Sequence, residues 1–121
     1  MNIEEFRNIC LAKKGVTESL PFDEHTLVFK VMGKMFALTA LERLPPQVNL
    51  KCDPEYGIEL REKHDGDIIP GYHMSKVHWN TLFLDRLPPK LIIHLTNHSY
   101  DLVVSKLTKK LKAELAALEN N

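Results

Sequence analysis

Two neighbouring segments with apolar residues at every second position constrain the fold most strongly. In segment 26–32 the alternating apolar residues are Leu27, Phe29 and Val31. That period is typical of a strand with one buried face. A second segment of this kind, 35–41, follows after the pair Gly33-Lys34. Because so short a connection reverses the chain, the two segments are predicted to form an antiparallel hairpin.

Further strands are predicted downstream of the hairpin. Residues 47–52 place Val48, Leu50 and Cys52 on one side of an extended segment. Residues 79–85 alternate in the same way, and 67–72 are predicted to form a short extended segment. The segment before the hairpin, which contains Pro21, is predicted to be a polar connection.

Four segments carry helix signals. Residues 2–14 place apolar side chains on one side, with Glu4 and Glu5 in the first turn and Lys13 and Lys14 in the last. Asp53-Pro54 starts a second helix, predicted to run to about residue 64, since Asp is a good N-cap and Pro is tolerated at the first helical position. Pro88-Pro89 opens a long third helix, and Thr108 starts a fourth.

These elements predict a single α+β domain over residues 1–121, in which helices pack on one face of an antiparallel sheet. A chain of this length forms one domain with a real core. Strand alternation directs Leu27, Phe29, Val31, Val48, Leu50, Leu82 and Leu84 toward the helices. The same alternation directs Lys30, Asn49, Lys51, Trp79 and Thr81 away from them. The opposite face is therefore predicted to be polar, locally basic and furnished with an aromatic side chain.

Composition narrows the classes of function. Sixteen basic and sixteen acidic residues give a formal net charge of zero, which counts against strong nonspecific binding of nucleic acid unless a local basic patch exists. There is no charged-then-apolar leader and no apolar run long enough to span a membrane. Cys10 and Cys52 lie far apart without metal or redox spacing. We expect a soluble cytoplasmic protein, without membrane contact, whose cysteines are reduced and buried.

The segment from Pro70 to Asn80 concentrates the groups able to contact a ligand. It contains His73, Lys76, His78, Trp79 and Asn80. Each also has a structural interpretation. The histidines are suited to hydrogen bonds with the loop backbone, and the Trp to a half-buried strand position with its indole N–H satisfied nearby.

This segment, together with residues 27–37 and 49–54, closely resembles the MmcQ/YjbR family of small bacterial proteins. The resemblance extends over nearly the whole chain. It implies an architecture similar to that of frataxin and its bacterial counterpart CyaY, and a DNA-binding role assigned to a "double-wing" surface. The iron binding of frataxin-like proteins does not carry over, because Glu4 and Glu5 share the first helix with Arg7, Lys13 and Lys14 rather than forming an acidic ridge.

Two functional hypotheses follow. In the first, the protein binds DNA, with lysines neutralising phosphates and the His/Trp loop contacting sugar or base. In the second, the same Trp79-centred surface binds a protein or a small ligand, a homodimer being a special case. The residues predicted for either role are Lys30, Lys34, Lys51, His73, Lys76, His78, Trp79 and Asn80.

Signatures of catalysis are missing from the sequence. There is no Gly-rich phosphate loop, dinucleotide fingerprint or nucleophile elbow. Cys52 with His73 or His78 as base is the alternative, but a Cys pointing into a core is unreactive. We therefore expect a protein that is not an enzyme and needs no cofactor.

Two further features are candidate binding sites. His94 and His98, at i and i+4 on a helix, are spaced to share a metal ion, yet no third ligand can be named and no metal is predicted. The basic run from Lys106 to Lys112 is predicted to be a solvated helix end, with a phosphate contact as the alternative.

Overall fold

A computed structural model describes residues 1–71 and 74–119 of the chain. Within these residues the elements follow in the order α1 (Ile3–Leu11), β1 (Val16–Ser19), β2 (Thr26–Val31), β3 (Lys34–Ala40), β4 (Gln47–Lys51), α2 (Pro54–Lys63), β5 (Ile68–Pro70), β6 (Trp79–Phe83), α3 (Pro89–Ser105) and α4 (Lys109–Ala117). The predicted α+β class with an antiparallel sheet is confirmed. No helix among these residues is long and apolar enough to cross a membrane.

The strands form one antiparallel sheet in the order β1-β2-β3-β4-β6-β5. In the β2–β3 hairpin Val31 pairs with Lys34, so the turn is Met32-Gly33 rather than the predicted Gly33-Lys34. Both turn residues have positive φ, 49° and 82°, as the tightest hairpin turns require. Gly33 adopts this conformation without steric cost. The hairpin places Lys34 at the first position of β3.

One face of the sheet is covered by helices and holds the main core. All seven strand residues predicted to point toward the helices belong to this core. Phe6 of α1 contacts Phe29 of β2 edge to face, with ring centroids 6.0 Å apart. Ile92 and Leu95 of α3 complete the layer and are almost fully buried. The predicted assignment of this face is confirmed.

The opposite face differs from the predicted polar surface. Val28, Leu38 and Trp79 form a second buried apolar cluster there, with Met35 and Met74 packed against it. The physical reason lies in β2 and β3, which carry apolar residues on both faces, as strands covered on both sides do. Val28 and Leu38 were the sequence signal for this second cluster.

The end of α1 and the presence of strand β1 also differ from the predictions. Helix α1 ends at Leu11, before Lys13 and Lys14, so neither lysine lies in its last turn. The segment predicted to be a polar connection contains β1, an edge strand. The Glu18 carboxylate of β1 accepts hydrogen bonds from two nitrogens of the Arg7 guanidinium, from Nε at 2.8 and 3.1 Å and from Nη2 at 2.6 Å. This strand is short and polar because its outer edge and one of its faces meet water.

Helix α3 joins the centre of the sheet through a buried serine. Strand β3 pairs with β4 at two positions, Leu38 with Asn49 and Ala37 with Leu50, and the pairing ends there. Beyond it, Ser99 Oγ donates to the Phe36 carbonyl at 2.6 Å and accepts from the Lys51 amide at 3.0 Å. The hydroxyl thus replaces one backbone-to-backbone hydrogen bond between strands that diverge. Helix α3 is held at the opening between them.

Burial of Phe29 is expected to dominate the stability of the helix–sheet core. The side chain is fully buried against Phe6, and Phe29→Ala should lower the free energy of unfolding by about 3–5 kcal/mol. Phe22, which is 65% exposed, provides the matched control. Phe22→Ala should change stability by no more than about 0.5 kcal/mol. Urea unfolding of both variants measures this, and equal losses would contradict the assigned core.

Stability should also depend on the protonation of His98. Its Nε2 accepts a hydrogen bond from the Asp53 amide at 3.3 Å, and burial lowers the pKa of His98, against the attraction of Asp53. Above the unfolded-state pKa of about 6.5, both states hold a neutral ring. As the pH falls below that value, the unfolded chain takes up the proton more readily, so the free energy of unfolding decreases.

His98→Gln retains an acceptor for the Asp53 amide and removes the titration. The variant should therefore lose part of the decline in unfolding free energy that the parent shows between about pH 6.5 and pH 5. His94→Gln, one turn earlier on the same helix, is the control and should keep that decline. Urea unfolding across this pH range is the measurement, and an unchanged profile in His98→Gln would count against the assignment.

Candidate anion-binding site

An open cleft of about 280 Å³ lies where β3 begins, β4 ends, β6 begins and α3 ends. We call it the lysine cleft. It is lined by Lys34, Met35, Lys51, Trp79, Val103, Lys106 and Leu107. Its position coincides with the divergence of β3 from β4. The cleft is therefore a consequence of how the two central strands separate, with α3 behind the opening.

Three separate elements bring the lysines to the cleft. Lys34 is the first residue of β3, directly after the hairpin turn. Lys51 is the last residue of β4, where it pairs with Trp79 of β6. Lys106 is the C-cap of α3. The Lys51 amide donates a hydrogen bond to Ser99, which lies about one turn before Val103 and about two turns before Lys106. This bond holds the end of β4 close to the end of α3.

The lysine cleft is positively charged: its lining contains three lysines and, among the described residues, no carboxylate. Among the residues that the structure describes, none of the three ammonium groups forms an ion pair or a side-chain hydrogen bond. The C-terminal end of α3 contributes a partial charge of about −0.5, far below the three positive charges. The net local field therefore favours an anion.

The remainder of the lining is apolar. Trp79, Val103 and Leu107 are nearly buried, while Met35 is half-buried. Val103 and Leu107 also belong to the main core. Since core packing fixes these side chains, they form a preorganised wall beside the flexible lysines. A ligand that combines negative charge with an apolar surface matches this arrangement.

The predicted site residues do not all meet at one place. Lys34, Lys51 and Trp79 line the lysine cleft. Lys30 is half-buried on β2 outside its lining, and Lys76 lines a separate groove with Pro54, Ile58, Arg61, Pro70 and Val77. His78 is exposed, and its carbonyl accepts a hydrogen bond from the Cys52 amide at 2.8 Å. His73 lies outside the described residues.

Asn80 was predicted to contact a ligand, and the structure contradicts this prediction. The residue is 2% exposed. Its Oδ1 accepts a hydrogen bond from Arg61 Nη1 at 2.6 Å, and its Nδ2 donates to the Gly57 carbonyl at 3.4 Å. On a strand Asn80 shares the face of Leu82, which is directed toward the helices. The amide therefore attaches β6 to α2.

For Trp79 the sequence left two interpretations, an exposed aromatic able to stack on a base and a strand position with a largely buried ring, and the structure contradicts the first. The residue is 7% exposed and packs in the second apolar cluster with Val28 and Leu38. Base stacking needs an open ring face, which this burial removes. What remains is a narrow edge at the wall of the lysine cleft.

Lys106 lines the site, although the sequence favoured a solvated helix end for the run from Lys106 to Lys112, with a phosphate contact as the alternative. Met35, Val103 and Leu107 were likewise outside the predicted site. Lys106 follows Val103 by three residues, so a helix that ends beside the strand termini carries both to the same place. The proximity of Lys106 to Lys34 and Lys51 depends on how α3 packs on the sheet. In the sequence, only the run of lysines indicated that Lys106 could contact an anion.

The cysteines and histidines have structural surroundings. Burial raises the pKa of the Cys10 thiol to about 12 and that of the Cys52 thiol to about 11, so both are protonated near neutral pH. The His98 lone pair is occupied by the Asp53 amide. In the part of the chain that the structure describes, no three His, Cys, Asp or Glu side chains are grouped so as to hold a metal ion.

Several proteins are similar to this chain over nearly its full length. The Escherichia coli K12 protein YjbR, itself described as uncharacterized, is 34% identical over 119 residues, which cover 98% of this chain and all of that protein. YbdF of Escherichia coli O157:H7, with the same description, is 38% identical over 108 residues, 88% of each chain.

Solved structures show the same architecture. The crystal structure of the Deinococcus radiodurans protein DR2400, a DUF419 domain, superposes with a TM-score of 0.89 at 40% identity, covering 99% of this chain and 91% of that one. A Pseudomonas syringae protein superposes with a TM-score of 0.71 at 28% identity, over 84% of this chain and 98% of that one. The YjbR family model matches residues 11–102. By sequence and by fold, the chain belongs to the YjbR family.

Proposed function

We propose that this protein binds DNA without catalysing a reaction on it, and that the lysine cleft holds the backbone phosphates. The observation that carries the proposal is the convergence of Lys34, Lys51 and Lys106 on one open cleft whose lining has no carboxylate. Lysine neutralises phosphate as a point charge and needs no fixed hydrogen-bond geometry. The resemblance to a family labelled DNA-binding supports the same ligand.

The zero net charge is compatible with this proposal because the lining of the cleft holds lysines and no carboxylate, and some of the acidic residues lie at the far end of the hairpin. Asp23, Glu24 and Glu42 lie in the loops that precede β2 and follow β3, whereas Lys34 lies at the hairpin. The length of β2, about 3.3 Å per residue, separates these ends by roughly 17 Å. Since the Debye length at physiological salt is about 8 Å, the acidic end has little effect at the cleft.

The burial of Trp79 and Asn80 determines the kind of DNA binding that is proposed. Neither residue is available to stack on a base or to hydrogen-bond its edge. The lysines contact phosphate, which carries no sequence information directly. We therefore expect binding that is nearly independent of base sequence. The same burial weakens the alternative of a protein interface centred on Trp79, because interface anchors require exposed aromatic surface.

DNA affinity should fall steeply with salt and depend on the cleft lysines. With about three phosphates neutralised, the logarithm of the association constant should decrease with the logarithm of salt concentration with a slope of about −2 to −3. Lys34→Ala, Lys51→Ala and Lys106→Ala should each reduce that slope by about 1. Fluorescence anisotropy of a labelled oligonucleotide at several salt concentrations is the measurement.

Lys90→Ala is the matched control, since Lys90 is an exposed lysine at the opposite end of α3. It should leave both the affinity and the slope unchanged. Equal effects of Lys90→Ala and Lys51→Ala would assign binding to net charge rather than to the cleft. Unchanged binding in all three cleft variants would refute the proposal.

A further inference from the structure

We infer that the lysine cleft accepts a single nucleoside phosphate, with the phosphate on the three lysines and the base or sugar against the apolar wall. This inference rests on the proposed function and specifies its ligand. The nucleoside phosphate has two possible sources, a free nucleotide or the phosphorylated end of a single strand. The shared chemistry is a terminal phosphate joined to a flat, partly apolar group.

The amount of charge at the cleft favours a terminal phosphate over an internal one. An internal phosphodiester carries one negative charge, whereas a phosphate monoester carries about −1.5 to −2 at pH 7. Lys34, Lys51 and Lys106 supply three positive charges around one cavity rather than along a stripe. A monoester therefore balances the cleft better than a single backbone phosphate does.

The size and wall of the cleft favour a ligand larger than inorganic phosphate. Its volume of about 280 Å³ lies near the lower limit of about 300 Å³ for small-molecule sites. Phosphate alone leaves the half-buried Met35 side chain, and the small exposed parts of Val103 and Leu107, in contact with water. A ring placed there covers them and contacts the Met35 thioether, a favourable partner for aromatic groups.

The same wall disfavours a DNA duplex. A duplex keeps its bases stacked inside, and exposing one requires unstacking and unpairing. Only phosphates and sugars of an intact duplex reach a side wall such as this one. A strand end or a free nucleotide presents its base without that cost.

Trp79, the one Trp in the chain, lines the cleft, so its fluorescence reports binding there. Titrations at low salt with adenosine monophosphate, ribose 5-phosphate and adenosine separate the contributions of phosphate and ring. We expect adenosine monophosphate to bind at least about tenfold more tightly than either fragment. Equal affinities for adenosine monophosphate and ribose 5-phosphate would overturn the inference, because the ring would then contribute nothing.

Two substitutions at matched positions test where the ring lies. Met35 and Met74 are both half-buried against the second apolar cluster, but only Met35 lines the cleft. Met35→Gln should weaken adenosine monophosphate several-fold more than ribose 5-phosphate. Met74→Gln should leave both affinities unchanged. Equal losses in the two variants would overturn the placement of the ring.

Oligonucleotides distinguish the two sources and separate this inference from the proposed function. If a 5′-phosphorylated single strand binds more tightly than its unphosphorylated form and is displaced by adenosine monophosphate, the source is the strand end. If adenosine monophosphate binds through Lys51 but no DNA does, the inference holds with a free nucleotide and the proposed DNA binding fails. If duplex and phosphorylated single strand bind equally through the lysines, the proposed function holds and the inference fails.

Discussion

The hydrogen bonds of Ser99 determine the geometry on which the candidate site depends. The buried hydroxyl bridges the Phe36 carbonyl and the Lys51 amide at the place where β3 and β4 cease to pair. A buried polar group is tolerated in a core when its hydrogen bonds are satisfied. Here the Ser99 hydroxyl acts both as a hydrogen-bond donor and as an acceptor. The strands can diverge without leaving an unpaired backbone group at this point, and α3 closes the back of the opening.

Thr39 makes a related contact at the other end of the β3–β4 pairing, where its Oγ1 donates to the Gln47 carbonyl at 2.8 Å.

The opening matters because of the residues that surround it. Val103 and Leu107 follow Ser99 at intervals of four along the chain and extend the apolar layer of α3 toward the cleft. Lys34, Lys51 and Lys106 lie at element ends, where side chains reach solvent and adjust to a ligand. The apolar wall of the cleft is therefore rigid because it belongs to the core, whereas the charged groups lie at the ends of elements and can move. A chain with no net charge presents a concentrated positive site, because three lysines and no carboxylate line the cleft.

Much of the fold could be predicted from local patterns, whereas the site could not. The hairpin, the Asp53-Pro54 helix start and the face of Leu27, Phe29 and Val31 each depend on residues close in sequence. Strand β1 was missed because its four residues contain a single apolar side chain, Val16, and therefore show no buried period to detect. The burial of Trp79 depends on Val28 and Leu38 from other strands. The cleft depends on the end of the β3–β4 ladder and on the packing of α3, which are tertiary properties. Lys34 and Lys51 were nevertheless predicted, because lysines at strand ends face solvent in most arrangements of this sheet.

Binding of an anionic ligand at the lysine cleft can be mapped residue by residue. Amide chemical-shift changes in ¹⁵N-labelled protein, recorded during titration with a 5′-phosphorylated single-stranded oligonucleotide at low salt, provide that map. Binding at the cleft predicts saturable changes concentrated at Lys34, Met35, Lys51, Trp79 and the segment 103–107, reversed by added salt. Changes concentrated instead at the opposite end of the sheet, around Phe22 and Leu44, would contradict it. So would a spectrum that stays unchanged at saturating oligonucleotide.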